Sequence, residues 1–255
     1  MKFLIVEPEI KGHFLSLYVR NIIKSFKNNQ IYLLTSKKII NSNILRLLKK
    51  DYPDLKILIT DELIYSKNKN PLILFFFQFL NLLNVKKKIN LLNNNYNFDH
   101  IFFTNLDHFD KILCFYKNPF NYCNFSGILV NPRIHQFYRK NKYKIKYLIY
   151  KFFFLKLNKN EYLKKIFVND ILFYKFLKKI ITIKKISYFN EPVKLEYSKE
   201  KIKNIKSNNK IFKILVYGSI RYSKSLDELI FLAKELKTQI KIKVTIAGIQ
   251  ENDVS

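Results

Sequence analysis

The sequence predicts an α/β chain: a doubly wound parallel sheet followed by the beginning of a second unit of the same kind. Three observations predict it. Short apolar runs alternate with stretches of helical spacing from Lys2 to Phe189. The first run, Lys2–Val6, is continuously apolar after its lysine, as a parallel strand buried on both faces requires. After a polar, Lys-rich stretch around Pro192, the rhythm starts again at Phe212.

Each element has its own signal. Lys2 to Val6 is a strand and Glu7 to Gly12 a turn. His13 to Phe26 places Phe14, Leu17, Tyr18, Ile22, Ile23 and Phe26 on one helical face. Gln30 to Thr35 is the next strand, so the start is a βαβ unit. The alternation continues with a helix over Ile39–Lys50, a strand over Leu55–Thr60 and a long helix over Leu72–Leu92. A strand over Asp99–Thr104, a helix over Phe109–Tyr116 and a strand over Ser126–Val130 follow. A basic, aromatic helix spans Lys142–Leu157. Then come a strand at Lys165–Val168, a helix at Ile171–Lys179 and a strand at Ile186–Phe189. Parallel strands with helical crossovers form a doubly wound sheet. Glu191 to Asn209 reads as a linker. A second βαβ unit then runs through Phe212–Tyr217, a loop at Gly218–Lys224, Ser225–Leu236 and Lys241–Ala247. The predicted organisation is a first domain over 1–190, a linker over 191–210 and the start of a second domain over 211–255.

Composition narrows the function classes. Of the 255 residues, 48% are hydrophobic and 16% aromatic, ample material for a packed core. The net charge is +28, from 47 Lys and Arg against 19 Asp and Glu. A surface this basic attracts phosphates and acidic membranes. The accompanying excess of Asn, Ile, Phe and Tyr also fits A/T-rich codon usage. Nucleic acid is an unlikely partner, because no binding motif interrupts the strand–helix rhythm. Cys114 and Cys123 imply no disulfide framework, and no Cys/His cluster has metal-ligand spacing. The opening run meets acid too soon for a signal peptide. The apolar stretch from Pro71 to Val85 is too short to span a bilayer and contains Gln78, Asn81 and Asn84. A cytoplasmic protein is expected.

The second start carries the most specific motif. Residues 214 to 230 run Ile-Leu-Val-Tyr-Gly-Ser-Ile-Arg-Tyr-Ser-Lys-Ser-Leu-Asp-Glu-Leu-Ile, and Val244 to Gly248 form a strand ending in Ala-Gly. This resembles the donor-binding half of GT-B glycosyltransferases of the family 4-like (group 1) type. The opening, Phe3 to His13, resembles the first strand and Gly-containing loop of the family's acceptor domain, which lies at its interdomain cleft. Phe189 to Val193 resembles the segment preceding the second domain. The resemblance implies a GT-B-like fold and a hexosyltransferase-like, retaining activity in polysaccharide biosynthesis. It implies a nucleotide-diphosphate sugar as co-substrate and no cofactor or bound metal. The acceptor would be a saccharide or a lipid-linked molecule, met by a peripheral protein on the anionic inner face of the plasma membrane.

The resemblance also assigns roles. Arg221 and Lys224, with Gly218 in the same loop, would hold the donor diphosphate. Cations beside free backbone N–H groups at a helix start stabilise such a leaving group. Ser225 replaces the Gly that usually follows the Lys. The family's Glu-x7-Glu motif does not follow Gly248, so a truncated chain, a non-catalytic remnant or an accessory subunit is the alternative expectation. On the acceptor side the candidate catalytic residues are His13, Asp107 and His135. Gly12 and Arg133 are candidate acceptor-loop residues. Asp107 and His108 lie just beyond a strand's carboxyl end, where doubly wound sheets bind ligands. Asn105 or Asp107 is equally suited to cap the next helix. The stretch from Phe137 to Lys165 combines Tyr and Phe with Lys, a basic amphipathic surface suited to anionic membrane.

Overall fold

The computed structural model describes residues 1–9, 18–26, 28–65, 70–130, 144–179, 183–189, 211–217, 226–236 and 241–247. The chain divides into two units, Met1–Val193 and Lys194–Ser255.

In the first unit the described strands are β1 (Lys2–Glu7), β2 (Gln30–Ser36), β3 (Lys56–Thr60), β4 (His100–Phe103), β5 (Asn124–Leu129), β6 (Leu163–Val168) and β7 (Ile186–Tyr188). They form one sheet in the order β3-β2-β1-β4-β5-β6-β7, and every pairing is parallel. The described helices are α1 (Arg20–Ser25), α2 (Asn43–Asp51), α3 (Pro71–Tyr96), α4 (Asp110–Leu113), α5 (Lys144–Asn158) and α6 (Ile171–Leu177).

Strand side chains alternate between the two faces. Leu4, Val6, Ile101, Phe103 and Phe125 point to one side, where α3 adds Leu82, Val85 and Ile89 and α5 adds Phe154 and Leu157. Ile5, Ile31 and Leu33 point to the other, against Ile23 of α1 and Leu45 and Leu48 of α2. Farther along that second face, Phe102 and Ile128 pack on Tyr18.

Caps set the helix boundaries. Asn70 Oδ1 accepts the Leu72 N–H at 2.9 Å, and Pro71 occupies the first turn of α3. The same helix ends where Asn97 takes a left-handed φ of 52°. Asp170 Oδ1 accepts from Leu172 and Phe173 at 2.7 and 2.9 Å, starting α6. Two helices differ from the sequence expectation. Ser42 caps α2 through the Leu45 N–H, so Ile39 belongs to a separate 3-10 turn, Lys37–Ile39. Asn105 caps a 3-10 turn at Leu106–His108, ahead of the expected helix, and α4 runs only over Asp110–Leu113, short of the expected Tyr116. Of the expected helix over His13–Phe26, residues 13–17 lie outside the described residues.

The second unit pairs β8 (Ile211–Tyr217) with β9 (Lys241–Ala247) in parallel, joined through α7 (Leu226–Leu236). The expected linker, 191–210, lies outside the described residues. Among the described residues no helix is long and apolar enough to cross a membrane, and no three His, Cys, Asp or Glu side chains group as metal ligands. Cys114 and Cys123 are free and buried.

Close packing of β5 on β4 gives the first prediction. A Cβ on Gly127 would stand 3.0 Å from Phe103 Cβ, 3.1 Å from the Phe103 carbonyl oxygen and 3.2 Å from Leu106 Cβ. Gly127→Val is expected to cost about 3 kcal/mol, the upper end of overpacking. Chemical denaturation checks it, and an unchanged midpoint contradicts the packing described.

Candidate functional site

The strand order reverses between β1 and β4. The chain runs outward from β1 through β2 to β3, then returns to β4 on the other side. Loops leaving the carboxyl ends of two such strands diverge, and ligands bind in the crevice between them. Here one loop begins at Pro8 and the other runs from Thr104 to Phe109.

Glu7, the last residue of β1, is wholly buried. Its Oε1 accepts the Glu9 backbone N–H at 2.9 Å. Its Oε2 meets Thr104 Oγ1, which also donates to the Val6 carbonyl at 3.1 Å. One hydroxyl proton cannot serve both oxygens. A protonated Glu7 resolves the conflict: the carboxyl O–H donates to Thr104 Oγ1, and the hydroxyl donates to Val6. Burial agrees, pushing Glu7 up from 4.5 to about 8. Asp110, behind the second loop, is also pushed up by burial, to about 6.

Glu9 is the convergence point of the crevice. Asn105 Nδ2 donates to Glu9 Oε2 at 3.3 Å, and His108 Nε2 lies 3.5 Å from the same oxygen. The Asn105 amide orientation is fixed, because its Oδ1 accepts the Asp107 N–H at 3.2 Å. Asn105 Nδ2 is also 3.1 Å from His108 Nε2. The Tyr65 hydroxyl hydrogen-bonds to Glu9, and its ring stands edge-on to His108 with centroids 5.8 Å apart. Burial, then the charges of Glu9 and Glu7, push the Tyr65 phenol above its ordinary range. Tyr65 is held from behind: Asn81 of α3 accepts the Ile64 N–H at 2.8 Å and donates to the Ile64 carbonyl at 2.9 Å.

His108 Nε2 therefore faces a donor and an acceptor at once. Unprotonated, it accepts from Asn105 Nδ2 at 3.1 Å; protonated, it donates to Glu9 Oε2 at 3.5 Å. The arrangement is an oriented histidine, with 22% of its side chain exposed, beside a carboxylate at 6%.

Of the candidates read from sequence, Asp107 is in this loop. Its Oδ2 accepts the Val130 N–H at 3.0 Å, which ties the loop to the end of β5. His108 stands next to it, in the pair with Glu9. His13, Gly12, Arg133 and His135 on the acceptor side, and Gly218, Arg221 and Lys224 on the donor side, lie outside the described residues. Sequence reading passed over Glu7, Glu9, Thr104 and Tyr65. The signal for the first two was visible: an acid at each end of Glu7-Pro8-Glu9, straight after a run buried on both faces. Nothing local marked Tyr65, which arrives through α3. A separate cavity of about 280 Å³ on the other face of the sheet is lined by Tyr18, Ile22, Phe102, Ile128 and Phe167 among others, with no Asp, Glu, His or Cys.

No protein-family model matches the chain, and no curated protein matches it. Solved structures do match. Arabidopsis thaliana UGT89C1 complexed with UDP-L-rhamnose superposes with a TM-score of 0.55 at 10% identity, covering 98% of this chain and 68% of its own. The lipopolysaccharide outer core galactosyltransferase WaaB in its apo form gives 0.54 at 14% identity, covering 99% and 62%. A UDP-glucosyltransferase from Polygonum tinctorium capable of glucosylating indoxyl gives 0.53 at 10%, covering 95% and 64%. The chain thus spans about two thirds of the length of each. The likeness is one of fold: the α/β, Rossmann-like architecture of GT-B glycosyltransferases.

Glu7 generates a pH prediction. Its folded value lies above the unfolded 4.5, so its contribution to stability is full below pH 4.5 and is lost as pH rises through about 8. Asp110 acts with the same sign over a lower window, from 3.8 to about 6. Glu7→Gln reproduces the neutral form, with the amide N–H donating to Thr104. Melting temperatures measured across pH should therefore lose their decline between pH 6 and 8 in this variant. A variant that melts below the parent at pH 8, with the slope intact, contradicts the assignment.

Proposed function

We propose that the chain acts in sugar transfer, moving a glycosyl group from a nucleoside-diphosphate donor to a hydroxyl of a saccharide or lipid-linked acceptor in cell-surface glycan synthesis. The carrying observation is the Glu9–His108 pair at the sheet's reversal, in a chain whose fold is that of solved glycosyltransferases. The neighbours support the substrate class, since UGT89C1 is solved with UDP, with UDP-L-rhamnose and with quercetin.

In this reading the acceptor hydroxyl lies against His108. Its oxygen attacks the anomeric carbon of the donor sugar, and the His108 imidazole takes the proton. Glu9 keeps the ring oriented and offsets the charge that the imidazolium acquires. The bond from the anomeric carbon to the phosphate oxygen breaks, and the nucleoside diphosphate leaves with the electron pair. By the family 4-like resemblance, Arg221 and Lys224, with Gly218, would meet its growing negative charge. Gly12, His13, Arg133, His135 and Asp107 belong to the acceptor side. No step needs a metal or a cofactor.

A base acting on the acceptor favours a single displacement, which inverts the anomeric centre. The family 4-like resemblance implies retention instead, and the anomeric configuration of the product decides between them. A transfer assay with UDP-sugars and a panel of hydroxyl acceptors tests the proposal. His108→Ala should lower kcat by about 10²- to 10⁴-fold, and Glu9→Gln by less, with an altered pH profile. Arg221→Ala should lower it by on the order of 10²-fold or more. Full rates in both His108→Ala and Arg221→Ala would overturn the proposal.

A further inference from the structure

Helices α3 and α5 cover the same face of the sheet, and each breaks the usual rule for a surface helix. A helix with one face in the core normally carries polar residues on the other. In α3, Leu82, Val85 and Ile89 are buried, yet Leu72, Phe76, Phe79 and Leu83 follow one another at spacings of four, three and four along an exposed line. Leu72 is 79% exposed and Phe76 55%. In α5, Phe154 and Leu157 are buried, while Ile145, Leu148, Phe152 and Leu155 repeat the pattern at three, four and three. Ile145 is 76% exposed and Leu148 60%. Phe75 stacks on Phe153 with centroids 6.4 Å apart, so the two helices meet there, and α4 packs against both. Each helix thus carries an exposed apolar line on the same covered side of the sheet.

The two helices carry charge of one sign. Neither helix contains Asp or Glu. Lys87, exposed, continues the α3 line one turn beyond Leu83. Lys156, also exposed, continues the α5 line, and its Nζ lies 5.2 Å from the Phe115 ring centre and 5.4 Å from that of Phe152. Lysines on long stems beside exposed aromatic rings suit the boundary between acyl chains and headgroups. A second copy of the chain is a poor occupant, because it would bring another +28 to the same surface. Neither helix is apolar enough to cross a bilayer, so contact would be in the plane of the interface.

We propose that the outward faces of α3 and α5 dock the chain on an anionic lipid bilayer. The surface adjoins the candidate site, since Gln78, next to Phe79, donates to the Asp107 carbonyl at 3.4 Å. A bilayer held there lies beside the loop that carries His108, where a lipid-linked acceptor would arrive. The inference deepens the lipid-linked acceptor reading proposed above and depends on it for its purpose, but its test reads lipid binding rather than transfer.

The test is co-sedimentation of the full chain with phosphatidylcholine vesicles, with and without roughly 30 mol % phosphatidylglycerol. Binding should require the anionic lipid and weaken as salt rises. Phe76→Asp combined with Phe152→Asp should reduce it at least about tenfold, with circular dichroism and melting temperature unchanged, because both side chains are already exposed. Should that variant not fold, Lys87→Glu with Lys156→Glu supplies the same test. Equal binding by a folded variant, no binding to anionic vesicles, or a dimer that the substitutions convert to monomer overturns the inference. Lost vesicle binding with intact transfer to a water-soluble acceptor supports it, whereas intact vesicle binding without transfer counts against the transferase reading alone.

Discussion

A parallel sheet covered on both faces has no room for chemistry along its length. β1 and β2 are nearly continuous in burial, and polar side chains collect only where those strands run out, at Glu7, Thr35 and Ser36. The strand order then selects one place among those ends. Only between β1 and β4 do the onward connections part in opposite directions, and there the two acids of the first loop meet the Thr, Asn and His of the second. The site follows from topology, and the topology follows from burying short apolar runs with helical crossovers on either side.

Within the crevice, different partners divide the labour of two buried carboxyl groups separated by one residue. Glu7 sits against apolar strand and holds a proton, which lets it bridge β1 to Thr104. Glu9, two residues on, collects donors from Asn105 and Tyr65 and faces His108. The first is a tie between strands and the second an orienting partner. The same residue type serves both because Glu7 ends the buried strand and Glu9 meets the side chains of the second loop. Asn81 extends the arrangement outward: a polar residue in an apolar helix, it fixes the backbone that delivers Tyr65.

Much of this was legible in the sequence. Strand and helix positions followed from periodicity, and most boundaries moved by only a few residues. One departure came where a side chain competed with the backbone: Ser42 caps α2 inside the helix expected over Ile39–Lys50. The loop carrying Asp107 and His108 was located by its place after a strand. The pairing of His108 with Glu9 was not visible, because it joins residues 99 positions apart through strand register. The outward apolar stripe of α3 was likewise hidden. Phe76 and Phe79 belong to the same run of letters as the residues that make the core, and only the helix's placement on the sheet separates the two faces.

The central claim is that Glu9 fixes the His108 ring. The imidazole nitrogen spectrum of uniformly ¹⁵N-labelled chain, with His108 assigned by comparison with His108→Ala, reads this directly. The account predicts that Glu9→Gln moves the His108 Nε2 resonance, because the carboxylate faces that nitrogen. An Nε2 resonance unchanged by Glu9→Gln would contradict it.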